Sequence, residues 1–167
     1  GAVEAMLAMY GKRALPNYHL DKAKTIVSFG ADFLGDFHGG FEKQYIAGRK
    51  PETGKMSYHV QFESNMSLTG ANSDKRVVVK PSDQVFALLN LYNAITGDSV
   101  SSKSTSADAE VKKMAIELKK AGSKGVVLTG LNDVNAQLIA LAINKALNSE
   151  IIDTKNTLNI RQGNDVE

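Results

Sequence analysis

Cysteine is missing from the 167 residues of this chain. The chain by itself can therefore form no disulfide bond, no thiolate nucleophile, no cysteine zinc site and no cysteine-ligated iron–sulfur cluster. Tryptophan is missing as well, and aromatic residues make up only 7% of the sequence. The remaining composition is ordinary for a folded protein, because 43% of the residues are apolar and 23% are charged. It indicates a globular chain that is long enough to bury a core.

The sequence also has little excess charge and no long apolar run. Twenty basic residues against 18 acidic ones leave a net charge of +2, which is too small to favour nucleic acid or an anionic membrane as the partner. The longest apolar run, residues 138–143, is far shorter than the roughly 20 residues that a membrane span needs. We therefore expect no nucleic-acid partner and no direct insertion into a membrane.

The first residues suggest how the chain was obtained. It begins with Gly-Ala-Val instead of methionine, and a lone glycine is what a protease leaves when it removes a tag. We therefore interpret the sequence as a fragment of a longer protein and leave Gly1 out of the fold prediction.

Strand and helix patterns alternate along the chain. Short apolar runs bounded by glycine or polar residues predict strands at 25–29, 58–63, 76–80 and 125–128. Apolar residues at helical spacing predict helices at 3–10, 41–47, 81–96, 107–121 and 133–147. This alternation favours an α/β fold with an open, mostly parallel, Rossmann-like sheet and helices on both faces.

A serine-rich segment divides the chain. Five of the nine residues in segment 98–106 are serine, which is typical of a solvated linker. We predict a first α/β lobe at 1–97, a second α/β segment at 107–152 and a loosely held polar tail at 153–167. Polar or proline-containing stretches are predicted as irregular connections at 15–18, 49–55 and 65–74.

The candidate site lies where the predicted strands end, because open parallel sheets bind ligands outside the carboxyl ends of their strands. Small or polar residues at these ends, and in the loop that follows the second strand, could surround a nucleotide: Gly30, Asp32, Glu63, Thr69, Asn72, Asp74, Thr129 and Gly130. Glu63 could accept hydrogen bonds from ribose hydroxyls, but it lies farther from the first glycine than the usual 20 residues or so. A nucleotide-like ligand and plain strand-to-loop geometry are both open interpretations.

Motifs of common enzymes are not found. The histidines His19, His38 and His59 show neither H-x-H nor H-E-x-x-H spacing, so we predict loop or surface positions for them and no metal site. No Gly-Lys-Ser/Thr follows Gly70, which argues against a P-loop kinase or ATPase, and there is no G-x-S-x-G elbow. We predict no catalytic residue in this chain.

Several stretches, taken in order, resemble the molybdopterin oxidoreductase (DMSO reductase) superfamily. They are LPNYHLDKAKTIVSFGADFL, QFE followed by SLTGANSD, KPSD before a helix, and then LKKAG, VVLTG and INKAL, which together cover about residues 15–148. The stretches NYHLD, GADFLG and QFES are similar, more closely, to the large iron–sulfur subunit of bacterial alternative complex III. That complex is a membrane-bound quinol:cytochrome c oxidoreductase.

The resemblance also implies which subunits are the partners, where the protein lies in the cell and whether it binds a cofactor. The parent subunit would combine this domain with a separate ferredoxin-like domain that carries iron–sulfur clusters. Its partners would be the other subunits of the respiratory complex, in the bacterial cell envelope on the periplasmic side of the inner membrane. Catalytic members of the superfamily bind molybdopterin guanine dinucleotide, whereas in this subunit the domain is thought to hold no molybdenum cofactor.

Two departures from the catalytic members bear on that cofactor. After the first two strands those members commonly have Gly-x-Asn-Pro and Asp-Pro-Arg, whereas this chain has Gly-Ala-Asp-Phe from Gly30 and Glu-Ser-Asn from Glu63. The missing arginine removes a charge suited to phosphate, and Asp32 adds repulsion against a pyrophosphate. We therefore expect a structural domain without its own cofactor. The alternatives are a catalytic fragment that binds the guanine dinucleotide and an independent nucleotide-binding α/β enzyme.

Overall fold

The computed structural model of the chain describes residues 1–35, 37 and 39–158. Its helices are α1 (Ala2–Tyr10), α2 (Glu42–Ala47), α3 (Leu68–Asn72), α4 (Gln84–Thr96), α5 (Asp108–Ala121) and α6 (Val134–Ala146). Its strands are β1 (Leu15–Tyr18), β2 (Thr25–Phe29), β3 (Arg49–Lys50), β4 (Lys55–Met56), β5 (Tyr58–Glu63), β6 (Lys75–Val78), β7 (Gly125–Thr129) and β8 (Ile152–Leu158). Among these residues, no helix combines the length and the apolar character that crossing a membrane would require.

A parallel sheet of four strands forms the centre of the fold, in the order β6-β5-β2-β7. Thr25 at the start of β2 pairs with Tyr58 of β5 on one side and with Gly125 of β7 on the other. Numbered along the chain, the four strands therefore run 3-2-1-4. The chain changes direction between β2 and β7, and such a switch point opens a crevice at the carboxyl ends of the two strands.

Both faces of the sheet are covered, as predicted. Alternate strand residues point to opposite faces, so that Val27 and Phe29 meet the layer of α4, α5 and α6. Ile26 and Leu128 meet the other layer, which includes Tyr45 of α2. Because both faces of β2 and β7 are buried, these two strands consist mostly of apolar residues, which is why they could be recognised in the sequence. The predicted α/β fold with a mostly parallel sheet is confirmed.

The serine-rich segment 98–106 runs along α4 as an extended connection. The side-chain amide of Asn90 donates to the backbone oxygen of Lys103 at 2.8 Å. Asn93 exchanges two hydrogen bonds with the backbone of Val100, at 2.9 and 3.1 Å. The parts of the chain before and after this segment contribute to one sheet, since β7 pairs with β2.

Three segments that were predicted as irregular contain secondary structure. Residues 15–18 form β1, which pairs antiparallel with β8, so the described part of the predicted loose tail is an ordered strand. Pro16 and the polar composition of β8 hide this pairing from a local pattern, because the two strands lie more than 130 residues apart. Residues 159–167 lie outside the described part of the chain. Strands β3 and β4 form a small hairpin, and α3 lies in the predicted loop 65–74.

The outer edge of β7 is closed by a side chain of α6. The amide of Asn144 donates to the backbone oxygen of Val127 and accepts from its N–H, both at 2.8 Å. Asn144 is only 3% exposed, and it pairs with β7 as a further strand would. This contact protects the sheet from pairing with another chain at that edge.

We expect Asn144→Ala to lower the free energy of unfolding by about 2 kcal/mol, because it leaves a buried N–H and a buried C=O of Val127 without partners. Asn93→Ala is the matched control, since its amide bonds the exposed backbone of Val100, and we expect it to cost about 0.5 kcal/mol. Urea denaturation measures both values. An equal loss of unfolding free energy in the two variants would contradict the role of Asn144 as the partner of the β7 edge.

Candidate functional site

A cavity of about 570 Å³ opens at the carboxyl ends of β2 and β7. Its position is the switch point of the sheet, and its volume lies within the range of roughly 300–1,000 Å³ that is usual for small-molecule sites. Four residues of the predicted site line it: Gly30, Asp32, Thr129 and Gly130. The structure therefore brings half of the predicted set together at one place.

The two glycines at this position allow the strand ends to approach each other closely. Gly30 has a φ of +69°, in the left-handed region that favours glycine. A Cβ atom on Gly130 would collide with the backbone of Gly30 and Ala31. The glycines are thus explained by the packing of the two strand ends, without a ligand.

Apolar side chains form much of the cavity wall. They come from β1, from the loops after β2 and β7, and from β8: Leu15, Pro16, Tyr18, Phe37, Leu131 and Leu158. Among the described residues that line the cavity, Asp32 is the only one with a charged side chain. No lysine or arginine of that set is therefore available to neutralise an anion.

Three backbone N–H groups at the strand ends have acceptors within the chain. Gly30 and Gly130 donate to backbone oxygens of neighbouring strands at 2.8 and 3.0 Å. Leu131 donates to the hydroxyl of Thr129 at 3.2 Å. N–H groups of this kind hold phosphates in many α/β proteins, but here they are used within the chain.

The first N–H groups of α6, a helix that borders the cavity, also have an acceptor within the chain. Oδ1 of Asp133 accepts hydrogen bonds from the N–H groups of Asn135 and Ala136, at 2.7 and 3.4 Å. Gln137 donates to two backbone oxygens at the end of β7 and in the following loop, at 3.0 and 2.9 Å. A phosphate at this helix end would have to displace the carboxylate of Asp133, which carries charge of the same sign.

Asp32 and Thr69 connect two loops. Oδ1 of Asp32 accepts from the N–H of Thr69 at 3.0 Å and from its hydroxyl at 2.6 Å. The same hydroxyl oxygen accepts from the N–H of Leu34 at 2.9 Å. Thr69 is fully buried, and it ties α3 to the loop after β2 instead of lining the cavity.

Glu63 lies in a second internal cluster. Its carboxylate accepts from the N–H and hydroxyl of Ser67 at 3.0 and 2.6 Å, from Nε of Arg76 at 2.7 Å and from Nε2 of Gln61 at 3.3 Å. Burial alone would raise the pKa of this carboxyl, but the hydrogen bonds from Ser67 and Arg76 outweigh it and hold the pKa below its usual value. Both oxygens that could have met a ribose thus have partners inside the chain.

The other two predicted site residues also make internal contacts. Asp74 accepts two hydrogen bonds from the guanidinium of Arg49, at 2.7 and 2.9 Å, and one from the N–H of His59 at 2.8 Å. Asn72 is exposed, and its amide donates to the backbone oxygen of Leu68 at 2.8 Å within α3. Neither is among the described residues that line the cavity.

The prediction of a loop or surface position is wrong for His59, which lies in β5 and is fully buried. His59, Gln61 and Glu63 point to the same face of β5, because side chains alternate along a strand. The alternation of polar residues in HVQFE is the signal that could have revealed this buried polar row. His19 is partly buried, with Nε2 at 3.1 Å from Oδ2 of Asp153, and His38 lies outside the described residues.

The polar row forms a directed chain of hydrogen bonds. The amide nitrogen of Gln61 donates to Glu63 and to the backbone oxygen of Ala31, at 3.3 and 3.2 Å. Its oxygen therefore faces Nε2 of His59 at 3.0 Å, and Nε2 must carry the hydrogen. Burial lowers the pKa of His59 to about 4, so the ring is neutral at pH 7.

The described residues at the switch point do not fit the pyrophosphate of molybdopterin guanine dinucleotide. Beside Gly30 lies the one buried side-chain oxygen at these strand ends that has no described partner, Oε1 of Gln84. It is an acceptor and would repel a phosphate oxygen. Within the described ranges, no three histidine, aspartate or glutamate side chains lie close enough together to hold a metal ion.

Comparison with protein-family models gives no match, and a search of curated proteins gives no significant match either.

Proposed function

We propose that this chain is a molybdopterin-oxidoreductase-like α/β domain with a structural role in the iron–sulfur subunit of alternative complex III, a bacterial quinol:cytochrome c oxidoreductase. The domain binds no cofactor and has no catalytic residue. The iron–sulfur clusters belong to another part of the same subunit, and the complex lies on the periplasmic side of the inner membrane. The domain itself contacts other parts of the complex.

One observation carries this proposal: groups of the chain itself accept hydrogen bonds from five N–H groups at the switch point that could otherwise hold a phosphate. The strand order provides the crevice that a nucleotide would use. The N–H groups of Gly30, Gly130 and Leu131 are bonded internally, and Asp133 caps α6. A pyrophosphate in the cavity would meet the carboxylate of Asp32, and no described residue that lines the cavity carries a positive side chain to offset the repulsion.

A structural role is further supported by exposed apolar side chains near the sheet edge at β6. Met66 is 69% exposed, Leu68 is 57% exposed and Val78 is 61% exposed. Large apolar side chains that remain in water are common where one protein surface packs against another. This exposure is what a domain inside a larger complex would show when it is taken alone.

Calorimetric titration with GDP tests the absence of a nucleotide site. We expect no heat of binding, which corresponds to a dissociation constant weaker than about 1 mM. ADP serves as the control for non-specific phosphate contacts. Saturable binding of GDP at micromolar concentration, weakened in Glu63→Gln and not matched by ADP, would overturn the proposal and favour the catalytic alternative.

Membership in the subunit has a separate test. The coding sequence around this fragment should encode a ferredoxin-like region with cysteines at CxxCxxC spacing, which this chain lacks. Purification of the intact complex should then yield this domain together with the iron–sulfur clusters. A gene that encodes only a protein of about this length would favour the independent α/β enzyme.

A further inference from the structure

The hydroxyl of Tyr45 in α2 faces two acceptors but has one hydrogen to donate. Its oxygen lies 2.9 Å from Nδ1 of His59 and 3.1 Å from the backbone oxygen of Asn72 at the end of α3. Tyr45 is 4% exposed and His59 is fully buried, so water does not compete freely for these positions. The protonation of the ring therefore decides where the hydrogen points.

In the neutral ring, Nε2 carries the hydrogen and donates to Gln61, because the amide orientation of Gln61 is set by its two other acceptors. Nδ1 is then an acceptor, and the Tyr45 hydroxyl donates to it. In the protonated ring, Nδ1 also carries a hydrogen and donates to the Tyr45 oxygen. The hydroxyl hydrogen is then free to point at Asn72. Every polar atom of the ring has a partner in both states.

We propose that Tyr45 and His59 form a two-position proton switch, in which protonation of the ring turns the Tyr45 hydroxyl from His59 to the backbone oxygen of Asn72. The proton enters at Nδ1, no bond between heavy atoms changes, and the net charge of the cluster rises by one. The protonated state adds a hydrogen bond between α2 and α3. These two helices cover the polar row of β5. The switch therefore couples protonation of the His59 ring to a hydrogen bond between the helices that cover it.

Four described groups with titratable or charged side chains surround the ring. Tyr45 comes from α2, Arg49 from β3, Glu63 from the same strand as His59, and Asp74 from the residue before β6. Arg49 lies with its guanidinium 5.2 Å from the centre of the Tyr45 ring and disfavours the protonated state. Asp74 and Glu63 favour it. Burial is the main reason why the ring stays neutral, and these charges modify its protonation further.

Nuclear magnetic resonance of the chain labelled with ¹³C and ¹⁵N tests the switch. At pH 7 we expect the ring nitrogens of His59 to report hydrogen on Nε2 and none on Nδ1. As the pH is lowered, the carbonyl carbon of Asn72 should shift with the same midpoint as the His59 ring. A neutral ring with hydrogen on Nδ1, or a carbonyl that does not follow the ring, would overturn the proposal.

Variants separate the switch from a general effect of acid. In Tyr45→Phe the carbonyl response of Asn72 should disappear, whereas Tyr92→Phe, which changes an exposed hydroxyl that is bonded to Asp98, should leave it intact. Arg49→Gln should raise the midpoint of both titrations together, because it removes the positive charge that opposes protonation. A midpoint that rises for the ring alone would contradict the coupling.

Discussion

Replacing Glu63 by alanine should lower the free energy of unfolding by about 3–5 kcal/mol, the largest effect that we expect from a single polar residue. The carboxylate is nearly inaccessible, with the residue 3% exposed, and it accepts hydrogen bonds from Ser67, Gln61 and Arg76. Its removal leaves a half-buried guanidinium without its anion and several donors without an acceptor. Desolvated groups that lose their partner destabilise a fold more than the original pair stabilised it.

Denaturation in urea measures this loss, and Glu150→Ala is the matched control. Glu150 also forms an ion pair, with Nζ of Lys124 at 2.9 Å, but both side chains are well exposed. Water and salt weaken such a pair, so the control should cost less than about 1 kcal/mol. If the two variants lost similar amounts, the cluster around Glu63 could not be the internal support that we describe.

The second large effect is a loss of stability at acid pH. His59 alone should reduce the free energy of unfolding by about 3 kcal/mol as the pH falls from 6.5 to 4. In the folded chain burial lowers the pKa of the ring to about 4, whereas in the unfolded chain it stays near 6.5. Between these values the unfolded chain binds a proton that the folded chain does not. The stability from the neutral ring is therefore fully present above pH 6.5 and is lost as the pH falls through about 4.

The comparison of the wild-type chain with His59→Gln isolates this contribution, because glutamine cannot take up a proton while the nearby carboxylates still titrate. Urea denaturation at several pH values from 7.5 to 4.5 should show a steeper loss in the wild type. Tyr92→Phe is the control and should follow the wild type, since its hydroxyl titrates only in alkali. Parallel curves for wild type and His59→Gln would show that the ring is not held neutral by burial.

Both predictions rest on buried polar residues of β5, and the first concerns a residue at the carboxyl end of the strand, where an α/β enzyme would meet its ligand. In this chain Glu63 and Thr69 hold α3 against the sheet and against the loop after β2. Asp74 holds Arg49 and the backbone of His59. The same residue types at the carboxyl ends of parallel strands can thus serve a ligand or the fold, and their hydrogen-bond partners decide which.

The sequence was sufficient to predict the positions of the residues that follow directly after a buried strand. Gly30 and Gly130 were predictable because a glycine after an apolar run marks both the end of a strand and a close approach of the backbone. Asp32 was predicted to weaken a cofactor site, and the structure places it on the cavity wall. The partners of the other candidates were not predictable, because Thr69 meets an acid 37 residues away and Glu63 an arginine 13 residues away.

His59 shows where local reasoning fails. A loop or surface position was predicted for it because its spacing matches no metal motif, but in HVQFE the polar side chains share one face of the strand, and α2 and α3 cover that face. The burial of this row depends on a tyrosine and a backbone oxygen that lie 14 and 13 residues from the ring along the chain. The alternation within β5 places the three polar side chains on one face, but it does not say which segments cover that face.

The sequence by itself determined the alternation of helices and strands, because the spacing of apolar residues is a local property that each segment carries alone. Only the tertiary structure decided the order of the strands, the place of the cavity and the use of the polar residues around it. Those features depend on contacts between segments that are distant in the sequence. The stability of each such contact depends on all the groups that are buried with it.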